Sequence, residues 1–175
     1  MTRKMRQLET ICVYAGCLAS YNAGKIVGGW VDLDGLTEEE ALRRMREVSL
    51  DVSAEPGAEE MVVMDVDAPI RVHGLRDVGK LIKLNNALQA TGEALSLYID
   101  NLGTGAFDDV DQLVEDFAEH YCGHWESGLE DYLMEHHDVL ESIPEHLQFY
   151  FDWKAYTRDQ GIENYWEEDG YVFLR

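Results

Sequence analysis

Residues 84–153 of this sequence contain no lysine and no arginine. The same segment holds 16 acids, and the whole chain of 175 residues has a formal net charge of −21. Ordinary soluble surfaces intersperse charges of both signs. We do not expect direct binding to nucleic acid or to an anionic membrane, because both reward positive charge. The expected partner is a basic protein.

Long apolar runs and cysteines are also scarce. No run is long enough for a membrane-spanning helix or a signal peptide, and three scattered cysteines (Cys12, Cys17 and Cys122) do not make a disulfide framework. A reducing cytoplasm is the expected location. Because apolar residues make up 46% and aromatics 10% of the chain, we expect a folded core and not a disordered acidic tail.

Motifs for catalysis are absent as well. The chain has no Gly-x-Ser-x-Gly, Walker-type loop or nucleotide fingerprint, and its similar acids offer no contrasting pair for acid–base work. His120 and His124, with Cys122 and Glu126 nearby, have the spacing to share a zinc ion on a helix. Gly123 interrupts that helix, and the glutamate is not placed as in H-E-x-x-H. We expect hydrogen-bonded histidines, no metal, no cofactor and no enzymatic activity.

Two other interpretations of the acids are weaker. Residues 65–67 and 108–111 do not continue into the twelve-residue calcium loop with its central glycine and terminal glutamate. Adaptation to a salty cytoplasm would spread acids over the whole chain, whereas most of the excess lies in residues 84–153. The pattern therefore favours a binding function for the acids.

Residues 1–69 predict an N-terminal α+β module. Three strands are expected, a buried one at residues 10–14 and two more at residues 25–33 and 61–64. Residues 21–24 predict a turn, since Asn and Gly tolerate left-handed backbone. Thr37 and Glu40 form a capping box that opens a helix. The inner face of that helix is expected to carry Ala41, Leu42, Met45 and Val48.

Residues 70–106 predict a central helical module. Apolar residues recur there at helical spacing, and Gly92 separates two helical pieces. We therefore expect two or more short helices in this module.

Residues 107–175 predict a C-terminal acidic α+β module. Its first helix has an apolar stripe of Phe107, Val110, Val114, Phe117 and Tyr121. A second helix is expected from Ser127, capped with Glu130, and Pro144 suits the first turn of the next. The chain ends in a hairpin closed by Asp169-Gly170. Four aromatics are expected in the core more than in a dimer contact: Trp125, Tyr132, Tyr150 and Trp153.

The acids of this module are the candidate functional residues. Four of them fall at i, i+3, i+7 and i+11 of its first helix: Asp108, Asp111, Glu115 and Glu119. Neighbours at such spacing lie about 5–6 Å apart at Cβ, the same order as successive DNA phosphates, and their repulsion weakens the helix. The full set is Asp108, Asp109, Asp111, Glu115, Asp116, Glu119, Glu126, Glu130, Asp131, Glu135, Asp138 and Glu141.

Three stretches have distinctive sequences: residues 21–33 (YNAGKIVGGWVDL), residues 60–65 (EMVVMD) and residues 143–152 (IPEHLQFYFD). The first resembles the Y-N-x-G-x-x-x-G-x-W-x-D signature of the ArdA family of antirestriction proteins, and the second is similar to that family's next strand. Residues 143–152 (IPEHLQFYFD), with residues 155–159 and 171–173, resemble its C-terminal block. The likeness covers nearly the whole chain.

This resemblance implies a DNA mimic. Members of the family are carried by phages and mobile elements, and inside the bacterial host they occupy the DNA-binding groove of type I restriction–modification enzymes. The implied fold class is α+β, an elongated chain of three small modules that acts as a homodimer through its C-terminal module. The family brings no catalytic residues.

An alternative function stays open. An acidic adaptor or inhibitor of another basic DNA-binding protein, such as a nucleoid protein, a CRISPR effector or a repressor, would have the same charge pattern. Charge density alone does not specify one target.

Overall fold

A computed structural model of the chain describes residues 10–72, 74–103 and 109–175. Its elements in order are β1 Cys12–Cys17, α1 Leu18–Asn22, β2 Gly28–Asp32, α2 Glu38–Ser49, β3 Met61–Asp67, α3 Val78–Thr91, α4 Glu93–Leu102, α5 Val110–His120, β4 Tyr121–His124, α6 Leu129–His136, a 3₁₀ helix Val139–Ser142, α7 Glu145–Gln148, α8 Trp153–Glu163, β5 Tyr165–Glu168 and β6 Tyr171–Leu174. No helix in the described part of the chain is long and apolar enough to cross a membrane.

The chain divides into two compact units, Met1–Val114 and Glu115–Arg175. Each contains a three-stranded antiparallel sheet, which confirms the α+β class. The order of a sheet, a helical pair and a second sheet is consistent with three modules. The module boundaries near residues 69 and 106 stay predictions.

The first unit has a sheet in the order β2-β1-β3, so the first strand lies in the centre. Cys12 pairs with Asp32 on one side and with Asp67 on the other. Side chains alternate across a strand, and the buried ones of β1 are Val13, Ala15 and Cys17. The three predicted strands are confirmed, with β1 shifted toward its C-terminal end, β2 shorter than predicted and β3 extended.

Helix α2 packs on this sheet. The Thr37 hydroxyl accepts from the Glu40 N–H at 3.3 Å, and Glu40 Oε2 accepts from the Thr37 N–H at 2.9 Å, which confirms the capping box. Met45 is buried as expected, but Leu42 is 36% exposed and its predicted inward position is wrong. The buried residues of α2 are Ala41, Met45 and Ser49, each four residues from the next. The Ser49 hydroxyl donates to the Met45 carbonyl at 2.6 Å.

The predicted turn at residues 21–24 is partly wrong. The chain leaves β1 directly into the short helix α1, so Tyr21 and Asn22 are helical. Gly24 makes the turn with a φ of +77°, and its N–H donates to the Tyr21 carbonyl at 2.9 Å. Glycine adopts this left-handed region without a Cβ clash.

Helices α3 and α4 are the predicted helical pair, separated by Gly92 with a φ of +67°. Their buried apolar residues are Leu81, Ile82, Leu84, Leu88, Ala94, Leu95, Tyr98 and Ile99. Asn85 of α3 is buried among them, and its Oδ1 accepts from the Ile11 N–H at 2.8 Å. This bond ties α3 to the residue before β1.

The second unit has a sheet in the order β4-β6-β5. Asp169 and Gly170 have φ values of +50° and +84°, which confirms the predicted two-residue hairpin. Tyr121 is not the end of the helical stripe but the first residue of β4, a strand that the sequence did not predict. Its pairing with Phe173, with ring centroids 5.4 Å apart, overrides the helical period.

Two other predictions for the second unit are wrong. The N-cap of α6 is Gly128, and not Ser127 with Glu130. Because it is a glycine, it has no side chain that could cap the helix. Tyr150 is 78% exposed and lies outside the core. The other three aromatics pack, partly buried, against the core as expected. That core is Leu129, Leu133, Tyr165 and Val172, with Cys122, Trp125, Tyr132, Trp153 and Tyr156 against it.

Candidate functional site

The candidate acids are mostly on the surface. The exposed ones are Asp109, Asp111, Glu115, Glu119, Glu126, Glu135, Asp138 and Glu141. The partly buried ones are Asp116, Glu130 and Asp131. Asp108 lies outside the described residues. An electrostatic binding surface needs carboxylates that a partner can reach, and eight of the predicted residues meet this condition.

Helix α5 has an apolar and an acidic face. Leu113 and Phe117, four residues apart, are 3% and 4% exposed. Asp111, Glu115 and Glu119 follow the same four-residue step on the exposed side. Four residues of an α-helix rise about 6 Å, so each of these carboxylates stands one turn from the next. We call these three residues the α5 acidic row.

Two acids at the start of α5 have local partners. Asp109 Oδ1 accepts from the N–H groups of Asp111 at 3.0 Å and Gln112 at 3.1 Å, so it caps the helix. Asp111 Oδ2 accepts from Lys83 Nζ at 2.5 Å, and this bond raises the pKa of the lysine. Lys83 precedes residues 84–153 by one position, so counting charges within that segment missed it.

Two acids of α6 bind the loop that precedes the helix. Asp131 Oδ2 accepts from the Ser127 N–H at 3.1 Å, and Glu135 Oε2 accepts from Trp125 Nε1 at 2.8 Å. A carboxylate has a second oxygen and further lone pairs. Both residues can therefore order the loop and still present negative charge.

Glu167 is an acid that sequence reasoning missed. Its Oε2 accepts from the Leu129 N–H at 2.8 Å and so caps α6 from strand β5. The positions are 38 residues apart, so no local motif links them. The only available clue was Gly128, an N-cap residue with no side chain to bond the helix.

The histidines considered for zinc have other contacts. His120 Nδ1 lies 2.6 Å from the Asp116 carbonyl oxygen, one turn earlier. The His124 ring packs on Tyr171 with centroids 4.6 Å apart. Within residues 10–72, 74–103 and 109–175, no group of three or more His, Cys, Asp or Glu residues could hold a metal ion.

Glycines explain part of the pattern in residues 21–33. Gly24 has a left-handed backbone, and a Cβ on Gly28 would collide with the Ala15 carbonyl oxygen of the neighbouring strand. Both positions therefore require glycine for a physical reason.

Comparison with known proteins agrees with these features. None of the curated proteins compared with the chain matches it. A family model described as "Antirestriction protein (ArdA)" matches residues 13–173, nearly the whole chain. The matched range includes all the candidate acids and both sheets except Cys12 and Leu174. The chain therefore belongs to the ArdA family of antirestriction proteins.

Proposed function

We propose that this protein presents carboxylates in place of DNA phosphates and competes with DNA for the binding groove of a type I restriction–modification enzyme. Family membership supports the general function, which is antirestriction. The observation that carries the finer proposal is residues 84–153, with 16 acids and no lysine or arginine. On this proposal the protein acts by occupying the groove, without catalysis and without a cofactor.

The amount of charge fits this role. B-DNA carries one negative charge per about 1.7 Å of its axis. The formal net charge of −21 therefore equals that of about 36 Å of duplex, near one helical turn. A dimer would double this length. A groove lined with lysine and arginine for duplex DNA would meet a comparable charge on the protein.

The placement of the charge also supports the proposal. Asp111, Glu115 and Glu119 are exposed one helical turn apart on α5, and further exposed acids lie in the second unit. Like charges at helical spacing weaken a helix by tenths of a kcal/mol per pair. An ordinary solvated face would relieve this repulsion with lysine and arginine. Their near absence is consistent with a surface that serves binding.

We also propose that the protein acts as a homodimer through its C-terminal part, in the cytoplasm of a bacterial host. Phe149 and Tyr150, which follow α7, are 91% and 78% exposed, with ring centroids 5.7 Å apart. Leu147 beside them is 46% exposed. Adjacent large apolar side chains in water favour an interface. The three modules at residues 1–69, 70–106 and 107–175 belong to the same proposal.

A competition assay tests the main proposal. A purified type I restriction–modification enzyme is bound to labelled DNA that contains its site, and the full chain is added as competitor. We expect displacement at micromolar protein, at a fixed stoichiometry, that weakens steeply as salt rises. Failure to displace DNA at micromolar protein and moderate salt would remove the proposal. Displacement from a nucleoid protein, CRISPR effector or repressor alone would favour the acidic adaptor.

A further inference from the structure

The N-terminal sheet has a face that α2 does not cover. Helix α2 packs on the opposite side, where a Cβ on Gly29 would lie 3.1 Å from Val48 Cβ. Direct cross-strand partners share a face. On the uncovered side, two rows of side chains lie next to a third row of Gly28, Gly16 and Val62. The two rows are Trp30–Tyr14–Asp65 and Asp32–Cys12–Asp67. We call these six residues the outer sheet face.

The centre of the outer sheet face is aromatic. Trp30 is 50% exposed, and its ring meets that of Tyr14 edge to face, with centroids 5.4 Å apart and an angle of 76°. This contact orients the indole and leaves part of it in water. The negative face of an indole attracts cations, and arginine is the protein cation found there most often.

Three carboxylates lie near this aromatic pair, Asp65 in the same row and Asp32 and Asp67 in the next. Asp32, Asp65 and Asp67 are exposed. Asp32 follows Trp30 by two residues on one strand, which places it about 7 Å along the same face. Strands β1, β2 and β3 contain no lysine, arginine or histidine, and no lysine or arginine in the described parts forms an ion pair with these acids. Their hydrogen bonds in the described chain come from neutral backbone groups: the Asp34 N–H donates to Asp32 Oδ1 at 3.0 Å and the Val66 N–H to Asp65 Oδ1 at 2.9 Å.

On the outer sheet face, the two carboxylates of the Asp32–Cys12–Asp67 row affect the Cys12 thiol between them. Burial raises the pKa of Cys12, and the charges of Asp32 and Asp67 raise it further. These two carboxylates lie one strand to either side, about 10 Å apart. Their fields overlap over the central strand, where they would attract a cation from a partner.

We propose that the outer sheet face binds arginine side chains on a basic segment of the partner enzyme, with a guanidinium stacked on Trp30 and paired with Asp32. A guanidinium is planar and weakly hydrated, so it stacks on a ring and binds a carboxylate at the same time. A lysine ammonium is compact and strongly hydrated, and it gains less from the ring. The nature of the partner rests on the proposed function, whereas the chemistry of the face can be tested without it.

An NMR titration of the full chain tests that chemistry, because it reports each site separately. The probes are an octapeptide of alternating glycine and arginine, the same peptide with lysine, and the same peptide with neutral citrulline. The NMR signal of the Trp30 indole N–H should shift when the arginine peptide is added. The lysine peptide should shift it with an affinity about threefold lower, and the citrulline peptide should not shift it. Equal affinities for arginine and lysine, or shifts confined to the second unit, would overturn the inference.

Matched variants separate this site from general attraction. Asp32→Asn and Glu39→Gln each remove one exposed carboxylate from the first unit, but Glu39 lies on α2. Asp32→Asn should weaken arginine-peptide binding at Trp30 about fivefold, and Glu39→Gln less than twofold. Trp30→Leu should abolish the preference for arginine over lysine, with circular dichroism as the check on folding. Equal effects of Asp32→Asn and Glu39→Gln would refute a specific site.

The restriction enzyme assay distinguishes this inference from the proposed function. If the wild type displaces DNA and Asp32→Asn does so less well than Glu39→Gln, both are supported. If the wild type fails to displace DNA but its Trp30 site binds the arginine peptide, the proposed function fails while the site stands. If the wild type displaces DNA and no peptide binds at Trp30, the inference fails alone.

Discussion

Glu167 on β5 accepts a hydrogen bond from the Leu129 backbone N–H at 2.8 Å and thereby caps helix α6. The carboxylate also meets the positive end of the helix dipole. Gly128 between them has a φ of +67°, and a Cβ there would collide with the Glu167 carboxylate. The sheet and the helix of the second unit are therefore joined by a polar contact beside the core residue Leu129.

Removing this cap should destabilise the second unit. We expect Glu167→Ala to lower the free energy of unfolding by about 1 kcal/mol, the usual loss for an N-cap. Urea denaturation followed by circular dichroism measures it. Glu168→Ala removes the same charge from the next position on β5 and should cost less than about 0.5 kcal/mol. Equal losses would show that the cap does not stabilise the helix.

The capping box of α2 predicts a pH dependence of stability. The Thr37 N–H, and then its hydroxyl, hold the pKa of Glu40 below the ordinary value of 4.5. A carboxyl whose pKa is lower in the folded state stabilises the fold above its unfolded pKa, and this contribution is lost as the pH falls through the folded pKa. At neutral pH the wild type should therefore have a higher melting temperature than Glu40→Ala. This gap in melting temperature should narrow below pH 4.5.

Thermal scans from neutral pH to about pH 3 measure this gap. Glu39→Ala is the control, because it removes a neighbouring exposed acid outside the capping box. Its gap from the wild type should be smaller throughout. A Glu40→Ala gap that stays constant down to pH 3 would contradict the role of the ionised carboxylate.

Lys83 should weaken the α5 acidic row by neutralising Asp111. We expect the Lys83→Gln variant to compete with DNA about twofold better at low salt. The exposed ion pair contributes little to stability, and without the lysine the charge of Asp111 adds fully to the negative surface. The control is Lys25→Gln, an exposed lysine paired with Glu55 instead. DNA displacement measures both variants. If Lys25→Gln improves competition equally, only net charge matters.

Inhibition should depend on the acids collectively. One substitution, such as Glu119→Gln, should change DNA displacement less than about threefold, because an exposed charge contributes little alone. Five together should weaken it more than about thirtyfold. The five are Glu115, Glu119, Glu126, Asp138 and Glu141. The control removes five exposed acids of the first unit: Asp34, Glu38, Glu39, Glu59 and Glu60. Equal losses from both sets would refute a localised mimic.

The exposed aromatic pair predicts the oligomeric state. Phe149→Ser combined with Tyr150→Ser should convert a dimer to a monomer without loss of helix content, because exposed rings are removed from a proposed contact. Sedimentation velocity measures the change. Ile162→Ser is the control, a 69% exposed apolar residue of the same unit, and should stay dimeric. A wild type that sediments as a monomer would contradict the dimer.

Local motifs were the predictable part of the fold. The Thr37–Glu40 box and the Asp169-Gly170 turn are completed within four residues, so their geometry depends little on the rest of the chain. The helical pair around Gly92 was predictable for the same reason, since its apolar spacing repeats every turn.

Two of the wrong predictions have a common cause in contacts between distant segments. Tyr121 continues a helical stripe in sequence, but β6 offers it a strand partner in Phe173. Ser127 with Glu130 has the pattern of a cap, but Glu167 supplies the hydrogen bond from β5. Both Phe173 and Glu167 lie outside the short sequence windows from which local structure is inferred.

The sequence by itself determined that this protein is acidic and that 70 consecutive positions, 84–153, carry no lysine or arginine, because charge belongs to the covalent chain. Only the tertiary structure decided what each carboxylate does. It paired Asp111 with Lys83, bound Glu135 to Trp125, and placed Asp32 beside Trp30 on one sheet face. The physical reason is that a Coulomb interaction depends on distance in space, and those distances exist only once strands and helices have packed.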